Sequence, residues 1–295
     1  MKVVAAMMVL LPGLVLAQER DFSQVEVRAT RVAGNVHMIQ GAGGNIAVSV
    51  GPDGQLLVDT EFAPLSDKLR AALKKLGKQR LVYVVNTHVH SDHTGGNAAF
   101  GREATLVAHR AVRERMSKPR TRRGETLPPA PEHARPIVTL QQGMSLWFNG
   151  EEVRLTHLPS GHTDGDIAVL FVGSNVLHTG DLFFTDRFPV IDLEAGGNVG
   201  GYVRNAETLL ASLPPGARII PGHGALGGRE ELERFVAMLR ETTALVRRKK
   251  EAGLSLEQVK AEGLPEKFRS FGEGHVKTDR WLEMVYTSQE QGSRP

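Results

Sequence analysis

The chain contains no cysteine among its 295 residues. Disulfide bonds and thiolate metal ligands are therefore excluded, so any bound metal must be held by histidine nitrogen and carboxylate oxygen. These donors suit zinc, and manganese or iron remain alternatives. Stability must come from metal binding and from an apolar core, for which a share of 41% hydrophobic residues is sufficient.

A strong excess of one charge is also absent. The chain has 36 lysine and arginine residues against 33 aspartate and glutamate residues, which gives a formal net charge of +3. No basic face recurs along the sequence. This balance predicts no nucleic-acid partner.

Long apolar runs are missing except at the start of the chain. Residues 3–17 are apolar apart from a Pro-Gly break, and Lys2 precedes them. The run is too short and too interrupted for a stable membrane anchor. A positive charge, a short apolar stretch and a small residue at Ala17 are typical of a secretory signal. We therefore expect a signal peptide over residues 1–17, cleaved after Ala17, and a periplasmic or secreted protein.

The remaining chain repeats one pattern of secondary structure, in which apolar strands are followed by a helix and a further strand. The repeat covers residues 25–136 and 137–295 and predicts one pseudo-duplicated α/β domain over residues 18–295. Two mixed β-sheets would pack face to face with helices on their outer faces, as an αββα sandwich. The expected strands are 25–27, 36–39, 46–50, 55–59, 81–85, 105–108, 145–148, 153–158, 167–172, 175–178 and 218–220, and the expected helices are 68–76, 110–116, 201–213, 229–250, 256–262 and 276–288.

Residues 117–136 interrupt this pattern. They are rich in proline and arginine, so we expect neither helix nor strand there. A loop of this length is either a solvated excursion or a flap over a site. In the second case Arg120, Arg122 or Arg123 would meet an anionic substrate.

Three histidines and a carboxylate follow the predicted strand 81–85. They form the pattern His88-x-His90-x-Asp92-His93. Alternate residues of an extended segment share a face, so His88 and His90 point the same way and bind one metal. Asp92 and His93 then turn toward a second metal. The spacing predicts a metal site at the end of a buried strand.

Three later stretches place further ligand types where predicted strands end. They contain His162, Asp181 and His223, each next to glycine. Glycine permits the close backbone approach that a crowded metal site needs. Of the other histidines, His157 and His178 are candidates for orienting a ligand. The remaining ones, His37, His109, His133 and His275, are expected at ordinary polar positions.

The ordered set His-x-His-x-Asp-His, Gly-His-Thr, Gly-Asp and Gly-His-Gly resembles the metallo-β-lactamase superfamily of binuclear metallohydrolases. The resemblance implies an αββα sandwich and two zinc ions. It implies one metal on His88, His90 and His162. It implies a second metal on Asp92, His93 and His223, with Asp181 between the two.

The resemblance also implies a mechanism, in which a metal-bridging hydroxide attacks a carbonyl and Asp92 orients it. Five imidazoles and two carboxylates around two divalent ions leave the site positive, so a small anionic substrate is expected. Asn198 matches an asparagine that polarises the carbonyl in β-lactamases, which favours cyclic amide hydrolysis. Phe184 stands where those enzymes place a lysine, and Arg187 is a possible substitute.

Asp181 stands where the best-known lactamases have cysteine. It favours a thioesterase or lactonase of the glyoxalase-like branch as the alternative. An iron-dependent oxidoreductase is a third possibility, because some branches of the superfamily have that activity. The ligand pattern therefore fixes the chemistry more closely than it fixes the substrate.

Overall fold

The structure is a computed structural model that describes residues 21–122 and 125–291. The predicted signal peptide therefore lies outside the described residues, as does Arg123. Strands in chain order are β1 (Arg28–Ala33), β2 (Val36–Gln40), β3 (Ile46–Gly51), β4 (Gly54–Val58), β5 (Leu81–Asn86), β6 (Thr105–His109), β7 (Arg120–Arg122), β8 (Glu125–Leu127), β9 (Val138–Leu140), β10 (Gly143–Phe148), β11 (Glu151–His157), β12 (Ile167–Phe171), β13 (Val176–His178) and β14 (Arg218–Ile220).

The helices follow the expected positions closely. They are α1 (Ser66–Leu76), α2 (Ser91–Thr94), α3 (Asn97–Phe100), α4 (Arg110–Met116), α5 (Val199–Ser212), α6 (Arg229–Glu251), α7 (Leu256–Glu262) and α8 (Thr278–Gln291), with short 3-10 helices at Ala63–Leu65, Glu132–Ala134, Gly180–Leu182 and Glu266–Glu273. Across the described ranges, none of the helices is long and apolar enough to cross a membrane.

Two sheets carry the fold. The first has the order β1-β2-β3-β4-β5-β6-β9 and the second the order β10-β11-β12-β13-β14. In the first sheet β1 to β4 are antiparallel, whereas β4, β5, β6 and β9 run parallel. In the second sheet only β13 and β14 are parallel among the described strands. Both sheets are therefore mixed, as expected.

Three apolar clusters define the layers. The first unites both sheets through residues such as Val58 and Val169, which have no exposed surface. The second packs Leu69 and Leu73 of α1 against the outer face of the first sheet. The third joins the outer face of the second sheet to α5, α6 and α8. Helix, sheet, sheet and helix follow each other, which confirms the αββα sandwich.

Three local predictions are wrong. The expected strand at 25–27 is instead the approach to β1, which begins at Arg28. Residues 117–136 do contain regular structure, since β7 pairs with β8 in a two-stranded hairpin. Proline did not prevent this because Pro119 and Pro128 flank the paired residues and remove no ladder donor. The strand β9 also pairs with β6, so the first sheet extends past residue 136.

The C-terminal helices complete the third cluster through Trp281. This side chain has no exposed surface, stacks on Phe188 with ring centroids 5.4 Å apart, and donates from Nε1 to Thr242 Oγ1 at 3.0 Å. The other tryptophan, Trp147 on β10, is 79% exposed. Comparing variants at the two tryptophans therefore tests how much the third cluster contributes to stability.

We expect Trp281→Ala to lower the free energy of unfolding by about 3 to 5 kcal/mol, because it removes a large buried ring and leaves a cavity. Trp147→Ala should cost less than about 1 kcal/mol, since its ring is solvated. Urea unfolding at a fixed zinc concentration measures both. Equal losses in the two variants would contradict the assignment of Trp281 to the core.

Candidate metal centre

The expected ligands come from four places on the chain that meet at one edge of the sandwich. His88 and His90 follow β5, and the one-turn helix α2 presents Asp92 and His93. His162 lies between β11 and β12. The other two are Asp181, in the 3-10 turn after β13, and His223, directly after β14.

The structure brings all seven side chains together in two groups. The first contains His88, His90, His162 and Asp181, and the second contains Asp92, His93 and His223. Within each group one potential ligand atom per residue lies within 4.8 Å of all the others. The five histidines and Asp92 divide as the resemblance implied, and Asp181 falls in the first group.

Asp181 faces both groups with different oxygens. Its Oδ2 lies 3.4 Å from His162 Nε2 and 3.8 Å from His88 Nε2. Its Oδ1 lies 3.1 Å from His93 Nε2 and 3.5 Å from His223 Nε2. A carboxylate placed in this way is able to serve two cations at once.

Several polar atoms in the centre lack hydrogen-bond partners. Among the described residues, His88 Nε2 is buried and has none, and His93 Nε2 and Asp181 Oδ1 lie 3.1 Å apart without the geometry of a hydrogen bond. Burying such groups unsatisfied costs free energy, and coordination to a cation would remove that cost. The nitrogen and oxygen donors fit a divalent metal and are the set that zinc commonly takes, although they also suit iron and manganese.

The charge state of the first ligand group is also suited to coordination. Burial lowers the pKa of His162 to about 4 and holds that of His88 well below its usual value. Burial raises the pKa of Asp181, but His93 and His223 outweigh it and keep that pKa well below its ordinary range. Neutral imidazoles and an ionised carboxylate are the forms that bind metals.

The pKa of His93 is shifted in the opposite direction. Burial lowers its pKa, but Asp181, Asp59 and Asp92 outweigh the burial and leave the pKa well above its ordinary value. Without a cation, three carboxylates thus favour a proton on this ring. Metal binding there would have to displace that proton.

Sequence analysis missed the residues that orient the ligand rings. Asp59 Oδ2 lies 2.7 Å from His93 Nδ1, and Asp59 also accepts from the backbone and hydroxyl of Thr87. Asp192 Oδ2 lies 2.8 Å from His90 Nε2. Such contacts fix which ring nitrogen faces the metal. A polar residue directly after β4 was a signal for Asp59, whereas Asp192 lies in an irregular segment that gives none.

The orientation of His90 and His162 follows from these contacts. His162 Nδ1 is 2.7 Å from the carbonyl oxygen of Val190, and His90 Nε2 is taken by Asp192. The opposite nitrogens, His90 Nδ1 and His162 Nε2, lie 2.7 Å apart. Both rings therefore present their remaining nitrogen to one point.

Asn198 has a structural role that the sequence did not predict. It is the N-cap of α5, and its Oδ1 accepts from Gly201 N at 2.9 Å. The residue also lines a cavity between α5 and α6, together with Arg240 and Arg247. Polarisation of a carbonyl would use the Nδ2 donor of the same side chain, so that role stays a prediction.

Phe184 and His178 each support a ligand. The ring of Phe184 stacks on His223 with centroids 5.3 Å apart and an interplanar angle of 12°. His178 Nδ1 accepts from Gly180 N, and its Nε2 contacts the carbonyl oxygen of Asn45. His178 thus holds the turn that carries Asp181 and touches no ligand ring directly.

Residues 29–223 match the metallo-beta-lactamase superfamily. The chain therefore belongs to that superfamily, as the motifs led us to expect. Acyl-coenzyme A thioesterase MBLAC2 of Gallus gallus is 29% identical over 174 residues, which are 54% of this chain and 62% of that protein. Metallo-beta-lactamase type 2 of Bacillus cereus is 26% identical over 178 residues, which are 60% of this chain and 65% of that protein.

The solved structure of the DIM-1 metallo-beta-lactamase has the same fold. It superposes with a TM-score of 0.61 at 19% sequence identity, over 74% of this chain and 99% of that one. At this identity the likeness concerns the fold alone. The superfamily and the names of the relatives indicate a metal-dependent hydrolase.

We predict that Asp59→Asn and Asp192→Asn each weaken zinc binding about 10- to 100-fold, because each removes the charge that orients one ligand ring. Asp59→Asn should weaken the metal position to which His93 would contribute. Asp192→Asn should weaken the one to which His90 would contribute. Competition with a chromogenic chelator measures both affinities. Asp67→Asn, an exposed change on α1, is the control, and wild-type affinity in both variants would refute the role of these carboxylates.

Asn198→Ala should lower the free energy of unfolding by about 1 kcal/mol through loss of the cap. Asn198→Ser retains a capping hydroxyl and should recover most of that stability. Turnover of any substrate should stay within about twofold of wild type in both variants. A large fall in kcat without loss of stability would instead support the catalytic role expected from the sequence.

Proposed function

We propose that this protein is a binuclear zinc hydrolase that cleaves a thioester, or a related activated ester, of a small anionic molecule. The position of Asp181 carries this proposal, since its two oxygens face two separate groups of ligands. Two divalent ions held there would supply a water-derived nucleophile at neutral pH and a Lewis acid for the carbonyl oxygen. The expected signal peptide would place this activity in the periplasm or outside the cell.

Asp92 is suited to orient the attacking water. Its side chain is 23% exposed, whereas that of Asp181 is 5% exposed. Burial raises the pKa of Asp92, but His93 and His223 outweigh it and lower that pKa to about 2. An ionised, partly exposed carboxylate can hold a water molecule in place by accepting a hydrogen bond from it.

Among the candidate substrates, a thioester needs the least help from the site when its leaving group departs. A thiol with a pKa of about 8.5 leaves as a thiolate, whereas an amide nitrogen must be protonated as it leaves. Phe184 covers His223 and cannot supply the charged contact that a lysine makes in β-lactamases. The similarity to a protein named as an acyl-coenzyme A thioesterase supports the same choice.

A β-lactam is the second candidate. The similarity to the Bacillus cereus metallo-beta-lactamase favours it. Arg187 also lines the cavity beside His223 and would take the part of a carboxylate-binding lysine. The names of the relatives support hydrolysis over the iron-dependent oxidation considered from the sequence.

Zinc-loaded protein should hydrolyse a simple acyl thioester with a higher kcat/KM than a lactone or a chromogenic cephalosporin. Asp92→Asn should lower kcat about 10²- to 10⁴-fold, because it removes the carboxylate that orients the attacking water. Metal content is measured alongside, with Asp67→Asn as the control. A kcat/KM that is higher for the cephalosporin would favour the second candidate, and no hydrolysis of any of the three would overturn the proposal.

A further inference from the structure

The two main sheets end in the strands β1, β9, β10 and β14, and three of these edges are protected. β1 carries Arg28 and Arg31 and has a bulge, while β9 and β14 are only three residues long. The edge of β14 is also covered, because Ile219 and Gly227 exchange two backbone hydrogen bonds of 2.9 Å. Charges, bulges, short strands and covering segments keep sheet edges from pairing with other chains.

Strand β10 has none of these protective features. Its six residues, Gly143–Phe148, include no proline and no charged side chain, and they pair with β11 in an unbroken register. Trp147 points outward from this strand and is 79% exposed. In the part of the chain that the structure describes, the apolar cluster beneath α5, α6 and α8 contains residues of β12, β13 and β14 but none of β10. A long, uncharged edge with an exposed tryptophan indicates a surface that pairs with another strand.

Alternate residues of β10 direct their backbone groups toward the open edge. The N–H of His157 donates to Gln142 O at 2.8 Å, in the same register as the β10–β11 ladder. Hydrogen-bonded and non-hydrogen-bonded pairs alternate in an antiparallel ladder. The residues whose N–H and C=O face away from β11 are therefore Gly143, Ser145 and Trp147. They offer donors and acceptors at a regular spacing to one further strand.

These three residues are complementary to a second copy of themselves. A two-fold axis at Ser145 places it opposite Ser145 of the second copy, and places Trp147 opposite Gly143 of that copy. The outer side of Gly143 is open, since an added Cβ would meet only Leu155 O within 4 Å, at 3.1 Å. An aromatic ring that lies across an edge glycine supplies the packing that glycine lacks. Because the two edges cover each other, the arrangement closes as a dimer.

Charge and area are compatible with a weak dimer. The charged side chains opposite β10 on the outer face, Glu152 and Arg154, form an ion pair of 2.8 Å, so the pairing brings no unpaired like charges together. At 79% exposure each Trp147 offers about 200 Å², or about 400 Å² for two. Stable interfaces bury about 1,200 Å² or more in total, and the strand edges with Met144 and Leu146 would supply the remainder. An interface near this lower limit predicts a Kd of about 1 to 100 μM.

We propose that two copies of this chain associate through β10, so that the second sheet continues across the pair. The two β10 strands run antiparallel, Ser145 lies at the two-fold axis, and each Trp147 covers Gly143 of the other copy. Well below the Kd the monomer predominates, and there Trp147 is solvated as it is in the single chain.

Sedimentation velocity over about 1 to 200 μM protein tests this association. The sedimentation coefficient of wild type should rise with concentration from that of a monomer toward that of a dimer. Ser145→Pro removes an N–H that faces the open edge and none that bonds to β11, so this variant should stay folded and monomeric. Ser145→Ala keeps the N–H and is the matched control, which should dimerise like wild type. Trp147→Ala should raise the Kd at least about tenfold.

Tryptophan fluorescence gives a second measurement. The chain has two tryptophans, and Trp281 has no exposed surface, so a concentration-dependent blue shift of the emission would come from Trp147. The shift should occur in wild type and in Ser145→Ala and be absent in Ser145→Pro. A wild type that stays monomeric throughout, or a dimer that persists in folded Ser145→Pro, would overturn the proposal. If Ser145→Pro does not fold, Trp147→Ala decides in its place, and a Kd equal to that of wild type would overturn the proposal.

Discussion

The buried carboxylate of Asp181 is the constraint on which the rest of the structure depends. An ionised carboxylate at 5% exposure is costly unless cations surround it, and here His93 and His223, whose pKa values are raised, supply that charge. The turn that carries Asp181 contains Gly180 with a φ of 52°, and an added Cβ there would meet Thr87 at 2.7 Å. The edges of two sheets must meet closely for this arrangement to exist, which makes the sandwich a requirement of the site.

The sequence predicted which side chains would cluster, because part of their geometry is local. His88 and His90 alternate along an extended segment, and the helix and strand patterns on either side are strong enough to place them. The contacts that the sequence did not predict depend on tertiary packing. Asp192 reaches His90 from 102 positions away, and the oxygen of Asn198 is used by a helix end whose position depends on α6 and α8. Periodicity carries no information about either contact.

The segment after residue 223 packs both against the core and against the loop that follows Asp181. Trp281 and Phe271 complete the core beneath the second sheet and also fix Phe188, which is adjacent to Arg187. The ligand motifs lie within the matched residues 29–223, whereas the anchoring of the cavity arginine lies outside them.

The zinc content of Asp181→Ala tests the central claim most directly. Wild-type protein that has been saturated with zinc and dialysed should retain two ions per chain, measured by mass spectrometry of the metal. The Asp181→Ala variant should retain less than about one, because both positions lose a ligand and the shared charge. Retention of two ions by that variant, in a folded protein, would contradict a centre organised around Asp181.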